Sequence, residues 1–308
     1  MSGDHVRVGI LGAGLMGHGI AQVFALAGFE VSVWDPQPDA LQAVPQRISE
    51  HLGLLGETRA APVRLADSLA DCVRGCELVI EAAPENMALK QDLVRQIDTA
   101  NASCVIASNT SVLRITEIAQ YAADPRRVVG THWWNPPYLI PIVEVVRGEK
   151  TCEEIAARVS GWLRAAEKLP VDVFKDAPGF VGNRMQFALV REAAHIVEEG
   201  ICSAETVDLV ARHTFGRRMA AVGPLRNSDY IGLDLVEAIL DYLAPALCGT
   251  TQAPALLKKL VAEGHQGAKT GQGIFAWSQG EREQTERRLL QHLMAMQSLE
   301  TASEPGQH

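Results

Sequence analysis

The sequence predicts an α/β protein, a doubly wound and mainly parallel sheet followed by an all-α C-terminal domain. Three observations carry this. The chain opens with strand, glycine turn, helix and strand within about 30 residues, the first unit of a nucleotide-binding sheet. Short apolar runs then alternate with helical patterns. Beyond Lys175-Asp176-Ala177-Pro178-Gly179 the pattern is helical nearly to the end.

In order, Val6–Leu11 is apolar and rich in branched residues, and a glycine turn follows it. A helical pattern runs from Met16 to Ala27 and stops at Gly28, and Val31–Trp34 reads as the second strand, closing on Asp35 and Pro36. Further strands are expected at Leu78–Ala82, Cys104–Ser108, Val128–His132 and Ile142–Val146. Helices are expected over Phe180–Glu199, Ser203–His213, Leu233–Leu247 and Gln252–Glu263, with Gly200 and Gly249 as stops. Gly264–Trp277 reads as a turn-rich loop, and a charged helix from Glu281 leads into a polar, frayed end. The boundary therefore falls near 177, giving a Rossmann domain over 1–177 and a helical domain over 178–308.

Composition narrows the function. At 308 residues there is room for two domains, and 47% hydrophobic with 21% charged residues is ordinary for a soluble globular protein. A formal net charge of -9 argues against a broad nucleic-acid surface. Charges interrupt every apolar stretch well before about 18 residues, so no membrane span is expected, and the N-terminus lacks a signal-peptide pattern. Cys72 and Cys76 are four apart, but no second ligand pair and no nearby histidine accompany them, so no metal site is expected. The six scattered cysteines fit a reducing cytoplasm.

Four motifs carry chemistry. Gly12-Ala13-Gly14-Leu15-Met16-Gly17 follows a strand and opens a helix. Gly12 permits the tight turn, Gly14 lets the backbone approach a pyrophosphate, and Gly17 lets helix and strand pack closely. The helix start offers amides and partial positive charge to phosphates. Asp35, ending the second strand, would accept from the adenosine ribose hydroxyls and repel a 2′-phosphate, so the expected cofactor is NAD. Ser108-Asn109-Thr110-Ser111 follows a later strand on the side of the sheet where ligands bind. His132 precedes an Asn-Pro-Pro turn, and Glu144 interrupts the apolar run Ile142-Val143-Glu144-Val145-Val146. A buried carboxylate is costly unless paired, so the two read as a dyad in which Glu144 fixes the tautomer of His132 and leaves one ring nitrogen to move a proton. Pro178-Gly179-Phe180-Val181-Gly182-Asn183-Arg184 opens the helical domain, with Asn183 in the first turns of its helix and Arg184 as a structural ion-pair partner.

Taken in this order, the motifs resemble the 3-hydroxyacyl-CoA dehydrogenase family over nearly the whole chain. Glu81-Ala82-Ala83-Pro84-Glu85 with Lys90, Gly223-Pro224, Asp229–Asp234 and Lys269–Gly273 add to the likeness. The resemblance implies that His132 is the general base, Glu144 its orienting partner, and Ser111 and Asn183 the groups that bind the reacting oxygen. It places Glu85 and Lys90 near the ribose and nicotinamide of the cofactor, with Leu15, Met16 and Asn109 also at the cofactor. It also implies a homodimer formed through the helical domain.

Departures from the family pattern bear on the substrate. Members that take CoA esters carry a long, lysine-bearing helical segment after the second strand. Here Pro36–Leu65 is short, is interrupted by Pro45, and holds Arg47, Arg59 and Arg64 but no lysine. Trp133-Trp134 stands where Phe-Phe is usual, and polar Arg226-Asn227-Ser228 follows Gly223-Pro224-Leu225. These features look like relatives that act on small free acids, the pyridine-carboxylate, carnitine and gulonate dehydrogenases. The expected substrate is a small carboxylate-bearing alcohol or aldehyde, with Trp133, Asn135, Arg226 and Asn227 as candidate contacts. An L-3-hydroxyacyl-CoA dehydrogenase and a non-catalytic NAD-binding protein of the same fold are the alternatives.

Overall fold

The computed structural model describes residues 6–59 and 61–303. The polar end expected to fray lies outside these residues beyond Ser303. The structure falls into two compact units, one of Met1–Arg184 with Leu290–His308 and the other of Met185–Leu289.

The first unit is built on one eight-stranded sheet. Its strands are β1 (Arg7–Leu11), β2 (Glu30–Trp34), β3 (Arg64–Leu65), β4 (Leu78–Glu81), β5 (Val105–Ser108), β6 (Val128–Trp133), β7 (Ile142–Val146) and β8 (Leu169–Val173). They lie in the order β3-β2-β1-β4-β5-β6-β7-β8, and every pairing is parallel except β6 with β7. The order reverses beside β1, which places the crevice of a doubly wound sheet at the carboxyl ends of β1 and β4.

Helices cover both faces. Alternation along the strands sends Val8, Ile10, Val31, Val33, Ile80, Val129, Val143 and Val145 into one core cluster. That cluster takes in residues of α1 (Gly17–Leu26), α3 (Val44–Leu55) and α7 (Glu153–Ala165). Leu11, Val79, Ile106, Val128 and Val146 form the other, with residues of α4 (Leu69–Val73), α5 (Met87–Ala100) and α6 (Ile115–Ile118). Strands buried on both faces explain the unbroken apolar runs in the sequence.

The structure differs from the sequence reading at several places in this unit, and β3, for one, was not expected. Pro45 does not interrupt the segment after β2. It lies at the start of α3, after the short α2 (Pro38–Gln42), where a missing N–H has no helical partner to lose. β8 was not expected. It is an edge strand with Leu169 half exposed, and proline at position 170 is tolerated there because an edge leaves one row of amides unpaired.

The second unit is helical. α8 (Gly182–Glu198) runs into it, followed by α9 (Ala204–His213), α10 (Phe215–Met219), α11 (Pro224–Ile231), α12 (Leu233–Leu243) and α13 (Ala255–Ala262). α14 (Gln279–Ser303) begins there and ends in the first unit. Gly28 and Gly200 end their helices with φ +84° and +67°, a conformation that favours glycine. No helix among the described residues is long and apolar enough to cross a membrane.

All six cysteines are free thiols. Cys72 is buried in α4, and Cys76 is buried just beyond it. Burial pushes the thiols of Cys72, Cys76 and Cys104 up to about 12, 11 and 12. Iodoacetamide at about pH 8 should therefore leave these three unmodified in the native protein and label them on unfolding, as peptide mass spectrometry would show. Native labelling of Cys72 would contradict the burial.

Candidate active site

The glycine turn closes as its residue types require. A Cβ on Gly12, at φ +106°, would lie 2.7 Å from the carbonyl oxygen of Ala82, and one on Gly17 would lie 1.8 Å from that of Gly12. Nothing lies within 4 Å of a Cβ built on Gly14, so the turn is open at the position where a ligand's pyrophosphate must approach. Leu15 is exposed and Met16 half-buried at the start of α1. Asp35 accepts from the amide of Ala13 at 2.7 Å and from that of Gln37 at 2.8 Å. It therefore braces the turn as well as facing the end of β2, and the arrangement fits a dinucleotide.

His132 and Glu144 are direct partners across the antiparallel β6–β7 pair. Both are buried, and His132 Nδ1 lies 2.6 Å from Glu144 Oε2. The other oxygen, Oε1, accepts from the amides of Val181 at 3.0 Å and Gly182 at 3.1 Å. Gly179 at φ +76° and Phe180 at φ +48° make the turn that presents these amides. A left-handed phenylalanine is a strained residue. Its buried ring lies 5.7 Å from that of His132. Burial pushes Glu144 up, but the bond to His132 and the amides of Gly182 and Val181 outweigh it and hold the carboxyl below its ordinary range. With Nδ1 engaged by a carboxylate, Nε2 is the nitrogen left to exchange a proton.

Asn183, one residue into α8, donates from Nδ2 to the backbone oxygen of Ser111 at 2.9 Å. Ser111 and Val112 donate their amides to Glu85 Oε1, each at 3.0 Å, and the Thr110 hydroxyl donates to the same oxygen at 2.5 Å. Burial pushes Glu85 up, while Thr110, Val112, Lys90 and Ser111 together bring it below its ordinary range. Asn109 Oδ1 accepts from the amide of Trp133 at 3.1 Å, tying the loop after β5 to the strand that carries His132.

Two candidates sit deeper than the sequence suggests. Lys90 is 0% exposed, and its ammonium donates to Glu81 Oε1 and Oε2 at 2.8 and 2.9 Å and to the Ala83 oxygen at 3.2 Å. These acceptors occupy its three N–H groups, and Lys90 supports the loop from beneath, 3.7 Å from Glu85. Trp133 is 3% exposed and packs on Phe24, with ring centroids 5.9 Å apart. Successive strand residues point to opposite faces, so the tryptophan beside His132 is Trp134, 4.9 Å away by ring centroid. Trp134 fits only because residue 182 is glycine, where a Cβ would lie 2.2 Å from its indole.

Asn135 is exposed at the start of the loop to β7. Arg226 is exposed and Asn227 half-buried on α11 of the second unit. Arg184 has no carboxylate partner among the described residues and donates instead to the Pro178 oxygen at 3.4 Å. Sequence reasoning missed the role of Glu81, which also accepts from the Ser108 hydroxyl at 2.6 Å. Its signal was present, a carboxylate within an apolar strand, as at Glu144.

The chain matches the 3-hydroxyacyl-CoA dehydrogenase NAD-binding domain over residues 7–177 and the C-terminal domain of the same family over 179–277. It belongs to this family and is an NAD-dependent dehydrogenase. Among its relatives is the 5-formyl-3-hydroxy-2-methylpyridine 4-carboxylate 5-dehydrogenase of Mesorhizobium japonicum, 36% identical over 88% of this chain and 91% of that one. The L-carnitine dehydrogenase of Streptomyces coelicolor is 37% identical over 87% and 89%. A probable 3-hydroxybutyryl-CoA dehydrogenase of Bacillus subtilis is 37% identical over 89% and 98%. A crystal structure of an NAD+-dependent 5-formyl-3-hydroxy-2-methylpyridine 4-carboxylic acid 5-dehydrogenase superposes with a TM-score of 0.90, at 33% identity over 95% of this chain and 97% of that one.

Replacing Lys90 by Met would leave Glu81 buried without its counter-charge. The expected loss is about 3–5 kcal/mol in urea unfolding, and a loss below about 1 kcal/mol would contradict the buried pair. Glu85 and Glu144 both have folded values below the ordinary 4.5. Their stabilisation is therefore present above about 4.5 and lost as pH falls through the lowered values. Unfolding free energy should decline in that acid window, and less steeply in Glu144→Gln. An identical decline in the variant would remove Glu144 from the account.

Proposed function

We propose that this dehydrogenase oxidises an alcohol or aldehyde on a small carboxylate-bearing molecule, using His132 and Glu144 as its proton-transfer pair. The observation that carries the chemistry is the buried His132 held at Nδ1 by a carboxylate whose other oxygen is already bound by two amides. In this reading Nε2 takes the proton of the substrate hydroxyl, or of the hydrated aldehyde, and Glu144 stabilises the imidazolium that forms. Bound NAD would supply the acceptor for the hydride that leaves the same carbon. Gly12, Gly14, Leu15, Met16, Gly17 and Asp35 would hold its diphosphate and adenosine ribose, and Glu85 and Asn109 border the nicotinamide end. Ser111 and Asn183 hold the reacting oxygen where charge develops.

Three features support a free acid over a CoA thioester. The segment from Pro36 to Leu65 lacks lysine. Trp134 narrows the surroundings of His132. Relatives with small-acid names cover most of the chain. Asn135, Arg226 and Asn227 are the groups assigned to the substrate's polar end. A 3-hydroxybutyryl-CoA substrate is the second reading, favoured by the similarity to the Bacillus subtilis protein.

We further assign residues 1–177 to NAD binding and 178–308 to substrate contact and homodimer formation. Exposed Leu225, Tyr230, Leu233 and Tyr242 in the second unit support the dimer, and six free thiols are in keeping with a cytoplasmic protein.

NADH formation should be followed with hydroxymethyl- and formyl-pyridine carboxylates, carnitine, gulonate, free 3-hydroxy acids and 3-hydroxybutyryl-CoA. The expected outcome is turnover of a free acid with the CoA ester inert, a kcat loss of about 100- to 10,000-fold in His132→Ala, and at least about tenfold in Glu144→Gln. Efficient turnover of the CoA ester alone would overturn the substrate assignment. Full activity of His132→Ala would overturn the mechanism.

A further inference from the structure

The glycine turn is held by more than its glycines. The Ala13 amide is tied to Asp35, as described above. The carbonyl of the same residue accepts from Arg47 Nη1 at 3.2 Å, a reach from α3 across to the turn. The next carbonyl, of Gly14, lies 2.6 Å from His18 Nδ1 on α1. A carbonyl can only accept, so Nδ1 carries the proton. Burial lowers the proton affinity of His18, the Gly14 carbonyl opposes this, and the charge of Arg47 lowers it further, so His18 is held below its ordinary 6.5.

A trans peptide points its C=O and N–H in opposite directions. Pulling the Ala13 carbonyl toward Arg47 therefore turns the Gly14 amide the other way, and pulling the Gly14 carbonyl toward His18 does the same for the Leu15 amide. Among the described residues neither amide has a protein acceptor. Both belong to the part of the turn that is open at Gly14.

Arg47 adds a second observation. It is half-buried, and no carboxylate lies within ion-pair distance of it among the described residues. Among the described residues its guanidinium makes one hydrogen bond, which uses a single N–H of five. A half-buried guanidinium with no counter-ion, set against a turn built for phosphate, leaves its positive charge unneutralised there.

We propose that Arg47 and His18 are cofactor-binding determinants. By holding the Ala13 and Gly14 carbonyls, the two side chains aim the Gly14 and Leu15 amides at the dinucleotide's diphosphate, and the charge of Arg47 behind the turn adds to the attraction. This rests on the NAD dependence of the protein and not on the roles given to His132 or to any substrate.

The test is equilibrium binding to the full chain, with NADH followed by its fluorescence and with ADP and adenosine followed by competition or calorimetry. Arg47→Gln should weaken NADH and ADP by about tenfold or more while leaving adenosine unchanged, and should flatten the dependence of ADP affinity on salt. Arg47→Lys, which keeps the charge but loses the planar fork, should show a smaller loss. His18→Phe should weaken ADP without affecting adenosine, and His18→Asn, which retains a donor, should recover part of it. Thermal unfolding of each variant identifies any that fails to fold, in which case the Lys and Asn variants carry the comparison. ADP and NADH affinities within about twofold of the parent, or an equal loss for adenosine and ADP, would overturn the proposal.

Discussion

The site depends on one carboxylate. Glu144 is buried in the middle of a strand, where an ionised group is costly unless every part of it is matched. Its two oxygens divide the task, one facing His132 across the strand pair and the other taking two backbone amides from the turn before α8. The same group thus fixes the tautomer of the histidine and pins the chain at the point where it leaves the sheet. Asn183 follows directly after the pinned amides, so its reach to Ser111 is a consequence of that anchorage.

A second charge system, buried at Glu81 and Lys90, performs the corresponding service under the other side of the site. Glu81, Lys90 and Glu85 link the end of β4, the start of α5 and the loop after β5. Lys90 meets both acids, at 2.8 Å from Glu81 and 3.7 Å from Glu85. Ser111 is then suspended between Glu85, through its amide, and Asn183, through its carbonyl. The ends of β4 and β5 are thereby tied to the start of α8, so the groups around the reacting position are preorganised by bonds made before any ligand arrives.

Much of this was legible in the sequence where the constraint is local. The glycine turn announces itself because the reasons for Gly12 and Gly17 lie within a few residues or on the adjoining strand, and Glu144 stands out because a carboxylate in an apolar strand demands a partner. What was not legible depends on orientation. Nothing in Trp133-Trp134 says which ring meets the core, because that is set by the parity of β6 relative to the two helical layers. Lys90 could be placed near the cofactor by likeness, but its burial follows from a turn that brings it back over Glu81, nine residues earlier. Phe180 looked like part of a motif, and only its left-handed backbone shows why the turn must be held there by packing against His132.

The two anchoring systems also separate the functions of the chain in a way the fold alone would not. The glycine turn is braced by Asp35, Arg47 and His18, none of which touches the His132 cluster through a hydrogen bond. The dyad is braced by Glu144 and the turn before α8, and Ser111 by Glu85. Cofactor geometry can therefore be retained while the loop after β6 and the residues around Trp134 change. That loop lies between the two members of the dyad in sequence, so it can alter what reaches His132 without moving the His132–Glu144 pair, whose register is set by the ladder of β6 and β7. A family whose relatives bear names of CoA esters, carnitine and a pyridine carboxylate is what such an arrangement permits: the proton-transfer pair is fixed by strands, and the substrate is chosen by what the strands carry beyond them.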